Sequence, residues 1–199
     1  MVAIITGDII NSTKDDSTQW LSLLKKVLNH YGMSPAQWEI FRGDSFQVEV
    51  EPQKALLTAF HIKACIMQTG IQDVRMAIGI GEATHKEKRI SESNGSAYVR
   101  SGECFEELKK QTLAIRTENE EVDESINLML QLALLIADNW SSTVATILNA
   151  SIENPEKSQN DLAKHLKKSQ SSVSEAMSRG GYNEMMKVNT YYAKRIQTL

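Results

Sequence analysis

The hydrophobic period switches repeatedly along the first 117 residues and then stays helical, which limits the chain to a mixed body followed by helices. Residues 2–6 are a short apolar run with strand character. Residues 17–31 place Trp20, Leu21, Leu24, Val27, Leu28 and Tyr31 at helical spacing, with Asp15, Asp16 and Ser17 as candidate caps and Gly32 at the C-cap position. Residues 37–42 and 45–50 predict a β-hairpin turning at Gly43-Asp44. In its second strand Phe46, Val48 and Val50 alternate with Gln47, Glu49 and Glu51, so one face is expected to be solvated, and Pro52 ends it. Residues 54–69 predict an amphipathic helix stopped by Gly70, and residues 74–80 a fourth strand. A polar loop (82–95), a helix (96–111) and a short strand (113–117) complete the unit. The order β-α-β-β-α-β-α-β matches a split βαβ, ferredoxin-like sheet with its helices on one face.

The acidic run 118–124 is either a hinge or the acid-rich first turn of the next helix. Beyond it the pattern is helical over 125–139, 142–151, 158–168, 170–178 and 183–197, broken at Pro155 and Gly180-Gly181. The expected division is an α+β domain over 1–120 and an all-α domain over 121–199. Charge is divided unevenly: residues 1–156 carry 14 Lys and Arg against 22 Asp and Glu, whereas residues 157–199 carry 8 against 3. A polyanion is therefore expected to meet the C-terminal part alone. Cys65 and Cys104 suit buried thiols rather than a disulfide framework. The most apolar stretch, 126–137, is interrupted by Asn127 and Gln131 and is shorter than the roughly 20 residues of a membrane span. Without a secretion signal either, a cytoplasmic location is expected.

Two apolar runs end in the same dipeptide, Gly7-Asp8 and Gly43-Asp44. If their strands are neighbours, two carboxylates converge. At about 4 Å and an effective dielectric near 20 they would repel by about 4 kcal/mol, so a shared site calls for a cation or a proton. Mg²⁺ or Mn²⁺ with phosphate oxygens would relieve the repulsion, and the N–H groups of Ile9, Ile10 and Asn11, with Gly43 opposite, could cradle a phosphate. Gly-Asp is also a common turn choice.

Three segments, 7–13, 42–46 and 74–82, follow one another as in the palm-like core of class III nucleotidyl cyclases and diguanylate cyclases, which this part of the chain resembles. The resemblance implies metal-binding roles for Asp8 and Asp44 and a nucleoside triphosphate as ligand. It also implies an Asn and an Arg on the helix after the fourth strand. Here that helix offers Arg100 and no matching Asn, so the transition-state groups are incomplete. Over nearly its whole length the chain resembles the bacterial SatD family. The Gly-Asp-Ile-Ile-Asn-Ser start, Arg-Gly-Asp-Ser-Phe-Gln, Ala-Ile-Gly-Ile-Gly and the Asn94-Gly95-Ser96-Ala97 helix entry carry this likeness.

Residues 158–179 look like a helix-turn-helix. Leu162, Ala163, Leu166, Val173 and Ala176 supply its internal contacts, and Ser169 suits the N-cap of the second helix. Gln170, Ser171, Ser172 and Ser174 could reach base edges, while Lys164, Lys167, Lys168 and Arg179 would meet phosphates. Lys167 and Lys168 stand where such motifs usually have a turn glycine and an apolar residue. Taken together, the expectation is a homodimeric regulator that binds duplex DNA and senses a nucleotide with metal. A nucleotidyl cyclase and a purely protein-binding adaptor are the alternatives.

Overall fold

A computed structural model describes residues 1–14 and 17–199. The elements are β1 (Val2–Ile10), α1 (Ser17–Tyr31), β2 (Trp38–Phe41), β3 (Ser45–Val50), α2 (Ala55–Met67), β4 (Asp73–Gly81), α3 (Ser96–Glu107), β5 (Leu113–Arg116), α4 (Glu120–Ala137), α5 (Ser142–Glu153), α6 (Gln159–Leu166), α7 (Gln170–Arg179) and α8 (Tyr182–Ile196). Short 3-10 turns occupy Pro52–Lys54 and Ile90–Glu92. The described residues thus form a mixed α+β protein with one five-stranded sheet and eight helices. The cap candidates Asp15 and Asp16 lie outside the described residues, and Ser17 opens α1.

The sheet order is β2-β3-β1-β4-β5. All neighbours are antiparallel except β4 and β5. β1 and β4 are apolar on both pleats because both faces of the sheet are covered. Ala3, Ile5, Ile9, Val74, Met76 and Ile78 enter the main core with α1 and α2. Ile4 and Ala77 face the other way, toward Ala97 and Tyr98 and toward Cys104 and Leu108 of the α3 segment. Helices on a single face were expected; α3 instead packs on the opposite face. Glycine makes that approach close, since a Cβ at Gly79 would lie 2.3 Å from the Ala97 carbonyl oxygen.

The polar side of the hairpin is not the solvated face its alternation predicts. The 82–95 loop folds over it. Arg89 and Ser91 bond Glu39, which is buried, and Lys86 and Tyr98 bond Glu49. The acidic run resolves as the start of α4: the Asn119 side chain accepts the Val122 N–H, and Glu120, Glu121 and Asp123 occupy the first turn, where they oppose the helix dipole favourably. At the sheet's edge, the Asn127 amide pairs with both the N–H and the C=O of Ile115. That pairing satisfies backbone groups that an open β5 would expose.

α2 departs most from its predicted amphipathic character. Of its 13 residues, only Leu57 escapes burial. The sheet covers one side, while α5 and α8 cover the other. Tyr192 of α8 is fully buried and donates to the Pro52 carbonyl at 2.7 Å. One continuous apolar core runs from Ala3 to Ile196, across the expected boundary at 120.

Two polar residues of α2 are enclosed with it. The Lys63 ammonium, without solvent exposure, donates to Asp73 at 2.7 and 2.9 Å and lies 2.8 Å from Asp138, which also accepts from Thr112. His61 shares a 2.7 Å hydrogen bond between its Nδ1 and the Tyr31 hydroxyl, and its Nε2 lies 3.7 Å from Glu153, which also pairs with Lys26. Burial holds the His61 imidazole down to about 4, against an opposing pull from Glu153.

Replacing Lys63 by Met leaves two facing carboxylates. The expected loss is about 3 kcal/mol by urea denaturation, the lower end for a broken buried pair because both aspartates keep some water contact. A Lys63→Met, Asp73→Asn, Asp138→Asn triple variant is expected to recover most of it. For His61, the unfolded chain accepts a proton that the folded one refuses. Stability is therefore expected to fall as the pH drops from about 6.5 towards about 4, and His61→Gln to flatten that part of the profile.

Candidate functional site

The two Gly-Asp dipeptides do meet at one end of the sheet. Asp8 stands opposite Ser45 in the β1–β3 register, and the Ile9 N–H donates to the Asp44 carbonyl at 3.2 Å. The three-residue turn between β2 and β3 achieves this with Arg42 and Gly43 both at positive φ. At Gly43 (φ +92) the space around the missing Cβ is open. At Gly7 it is filled: a Cβ there would lie 2.6 Å from the Phe46 ring. Gly7 is thus required by an aromatic ring packed across β1, not by a ligand.

Both carboxylates already have partners. From β4, Arg75 places Nη2 2.7 Å and Nε 3.4 Å from the Asp8 oxygens, and its guanidinium lies 4.7 Å from the centre of the Phe105 ring. Asp44 accepts the Ser12 hydroxyl at 2.6 Å. Arg75 thus supplies positive charge beside Asp8, which lessens the repulsion that called for a cation. The alternation of Val74, Arg75 and Met76 was the available signal: in β4 only Arg75 among these three faces away from the main core.

Of the expected phosphate cradle, the Ile9 N–H is spent on the Asp44 carbonyl, and Ile10 stands opposite Asp73 at the end of β1. Asn11 adopts a left-handed conformation (φ 62), its side chain donates to the Ile71 carbonyl, and its own carbonyl accepts from Lys14 and Gln72. Arg100 is not part of this corner. Its Nη1 donates to the Ile80 carbonyl at 2.7 Å. Ile80 pairs with Ala3, five residues from Asp8 and so about 17 Å away along the strand. Lys86 and Arg89 of the 82–95 loop are engaged by the hairpin glutamates. Among the described residues no group of three or more His, Cys, Asp or Glu side chains is arranged to hold a metal ion.

The second candidate region lies on α6 and α7. Ser158 caps α6 by accepting the Asp161 N–H, and Leu162 and Ala163 face inward. The chain then reverses through Lys167 in the left-handed conformation (φ 53), with the Lys168 N–H bonded to the Ala163 carbonyl at 2.9 Å. This is a helix end that glycine normally occupies. Ser169 caps α7 by accepting the Ser172 N–H at 3.2 Å, while Val173 and Ala176 are buried. Gln170 donates to Gln159, joining the first residues of the two helices.

Lys164, Lys167, Lys168, Gln170, Ser171, Ser172 and Arg179 are exposed, and Ser174 is half-buried. Seven of the eight selected residues therefore lie on the open surface of one compact helix pair. Sequence reasoning passed over Glu175, exposed about one turn beyond Ser171 and Ser172. A carboxylate there can accept from a cytosine amino group but repels a phosphate.

The fold and these two regions define a mixed α+β protein whose closely packed helical part presents a basic helix pair to solvent. The chain belongs to the SatD family, whose profile matches residues 1–195. No curated protein and no solved structure gives a significant match. No helix among the described residues is long and apolar enough to cross a membrane.

If Asp8 and Arg75 form a structural pair, Asp8→Asn and Arg75→Met should each cost about 1 kcal/mol in urea denaturation, with a double-mutant coupling of about 0.5–1 kcal/mol. A rise in melting temperature with Mn²⁺ that Asp8→Asn abolishes would overturn this and assign the corner to metal.

Proposed function

We propose that this chain is a DNA-binding transcriptional regulator whose α6 and α7 form a helix-turn-helix that enters the major groove of duplex DNA. One observation carries the proposal: a Ser169-capped helix begins with solvent-facing Gln170, Ser171 and Ser172, and exposed Lys164, Lys167, Lys168 and Arg179 surround it. Short polar side chains at a helix start suit base edges, and the cations suit the flanking phosphates. The Gln159–Gln170 bond holds the leading amide in place, so less side-chain freedom is lost on contact.

The N-terminal body fits the regulator as its sensing half. The antiparallel order β2-β3-β1-β4 supports a ferredoxin-like, cyclase-like sheet, with β5 added beside β4. Mg²⁺ or Mn²⁺ and a nucleoside triphosphate, expected at Asp8 and Asp44, would compete with Arg75 for Asp8 and with the Ser12 hydroxyl for the Asp44 carboxylate, and Arg100 stands at the sheet's other end. No catalytic step is derived for this corner.

Retardation of a duplex by the full chain should weaken steeply with salt, and the Lys167→Ala, Lys168→Ala double variant should reduce the slope of log K against log salt by about 2. Lys167→Gly separates charge from conformation. It removes a phosphate contact but relieves a left-handed residue, so melting temperature should rise by the equivalent of up to about 1 kcal/mol while DNA affinity falls. No retardation at low salt would overturn the proposal.

A further inference from the structure

α4 is apolar on two sides. Val122, Ile126, Leu130, Leu134 and Ala137 enter the core. On the outer side Leu128, Leu132, Leu135 and Ile136 are 60, 62, 72 and 42% exposed. Their spacing places them on one helix face over more than two turns. Beside them runs a groove of about 270 Å³ between α4 and α8, lined mostly by apolar side chains, by the small residues Ala133 and Gly181, and by one acidic residue, Glu184. Gly181 sits at φ +67 and has no side chain to fill the groove.

We propose that this face of α4, with its groove against α8, is the two-fold interface through which the chain pairs with a second copy of itself. Leucine knobs and a hollow lined by small residues lie side by side on one surface, which is the self-complementarity an isologous contact needs. The size fits as well. An 18-residue helix is about 27 Å long and, with α8, the face is about 20 Å wide; the projected area is roughly 500 Å² per copy. Pairing would cover on the order of 1,000 Å² in total, at the lower edge of specific interfaces. A lipid surface is disfavoured because Glu120, Glu121 and Glu124 lie at the start of the same helix, where membrane-surface helices carry Lys and Arg.

The pairing also sets the positions of the two α7 helices, a point that rests on the DNA proposal above. Trp140, just beyond α4, donates its indole N–H to the Gly180 carbonyl at the end of α7. Two antiparallel α4 helices crossing at Leu132 would place these junctions about 24 Å apart, eight residues at 1.5 Å on each side.

Light scattering of the full chain in the absence of DNA tests the pairing. The expected mass is twice that of the 22.3 kDa chain. Leu132→Glu, Leu135→Glu should return it to one copy with an unchanged circular dichroism spectrum. Under mild oxidation Leu132→Cys should give a covalent dimer, whereas Val99→Cys on α3, 51% exposed, should not; the native Cys65 and Cys104 are buried and silent. A single-copy mass for the unaltered chain, a two-copy mass retained by the double Glu variant, or equal cross-linking at positions 99 and 132 would each overturn the proposal. A single-copy protein that still retards DNA would overturn the pairing alone, and a two-copy protein that ignores DNA would overturn only the regulator.

Discussion

One buried cation ties α2, the sheet and the end of α4 to one another. Lys63 projects from α2 with its ammonium out of contact with water, held by Asp73 at the start of β4 and Asp138 at the end of α4. Removing such a charge from water is costly unless its partners are in place, so the network forms as a unit or not at all. It fixes α2 along its axis relative to the sheet. It also joins α4 to the sheet at the point where the chain turns toward α5. Apolar contact supplies most of the stabilisation in this core, but it is not directional; the ion network adds the direction.

Because α2 is enclosed, the C-terminal helices are a layer of the protein rather than an appendage. α5 lies along α2, and the Tyr192 hydroxyl reaches Pro52 at the entry to the same helix. A contiguous chain of contacts leads from the Gly-Asp corner to the helix pair. Arg75, which binds Asp8, lies two residues from Asp73 on β4. Asp73 binds Lys63, Lys63 binds Asp138, and Trp140 two residues later bonds Gly180 at the end of α7.

Much of this architecture was legible in the sequence. The strand and helix order, the capping of α7 by Ser169 and the breaks at Pro155 and Gly180 follow from local chemistry, which spacing and residue type report well. The strands that end in the two Gly-Asp dipeptides are not the neighbours the convergence assumed: β3 lies between them, and the hairpin turn brings the Asp44 carbonyl to the Ile9 N–H. What escaped were properties set by partners distant in the chain. α2 reads as amphipathic because Lys63, His61 and Thr58 interrupt its apolar run, yet each finds an internal partner in Asp73, Tyr31 or a backbone carbonyl. A polar residue in a helix shows that a partner is needed, not whether that partner is water. The location of α3 was signalled but missed: a strand such as Val-Ala-Ile-Ile-Thr without alternation is covered on both faces.

The glycines of the motifs show how a packing requirement can resemble a ligand site. Gly7 admits the Phe46 ring across β1, and Gly79 and Gly81 admit the backbone of α3 onto β4. Gly43 has open space where its side chain would be, and a positive φ that the turn itself demands. None of these positions needs a phosphate to explain it. Arg75 completes the account, because it neutralises Asp8 from the neighbouring strand and stacks on Phe105 of α3. The Gly-Asp repeat thus encodes how a hairpin, a central strand and a helix close around one corner. The exposed lysines around α7 and the outer leucines of α4 lie elsewhere, on surfaces that this core does not enclose.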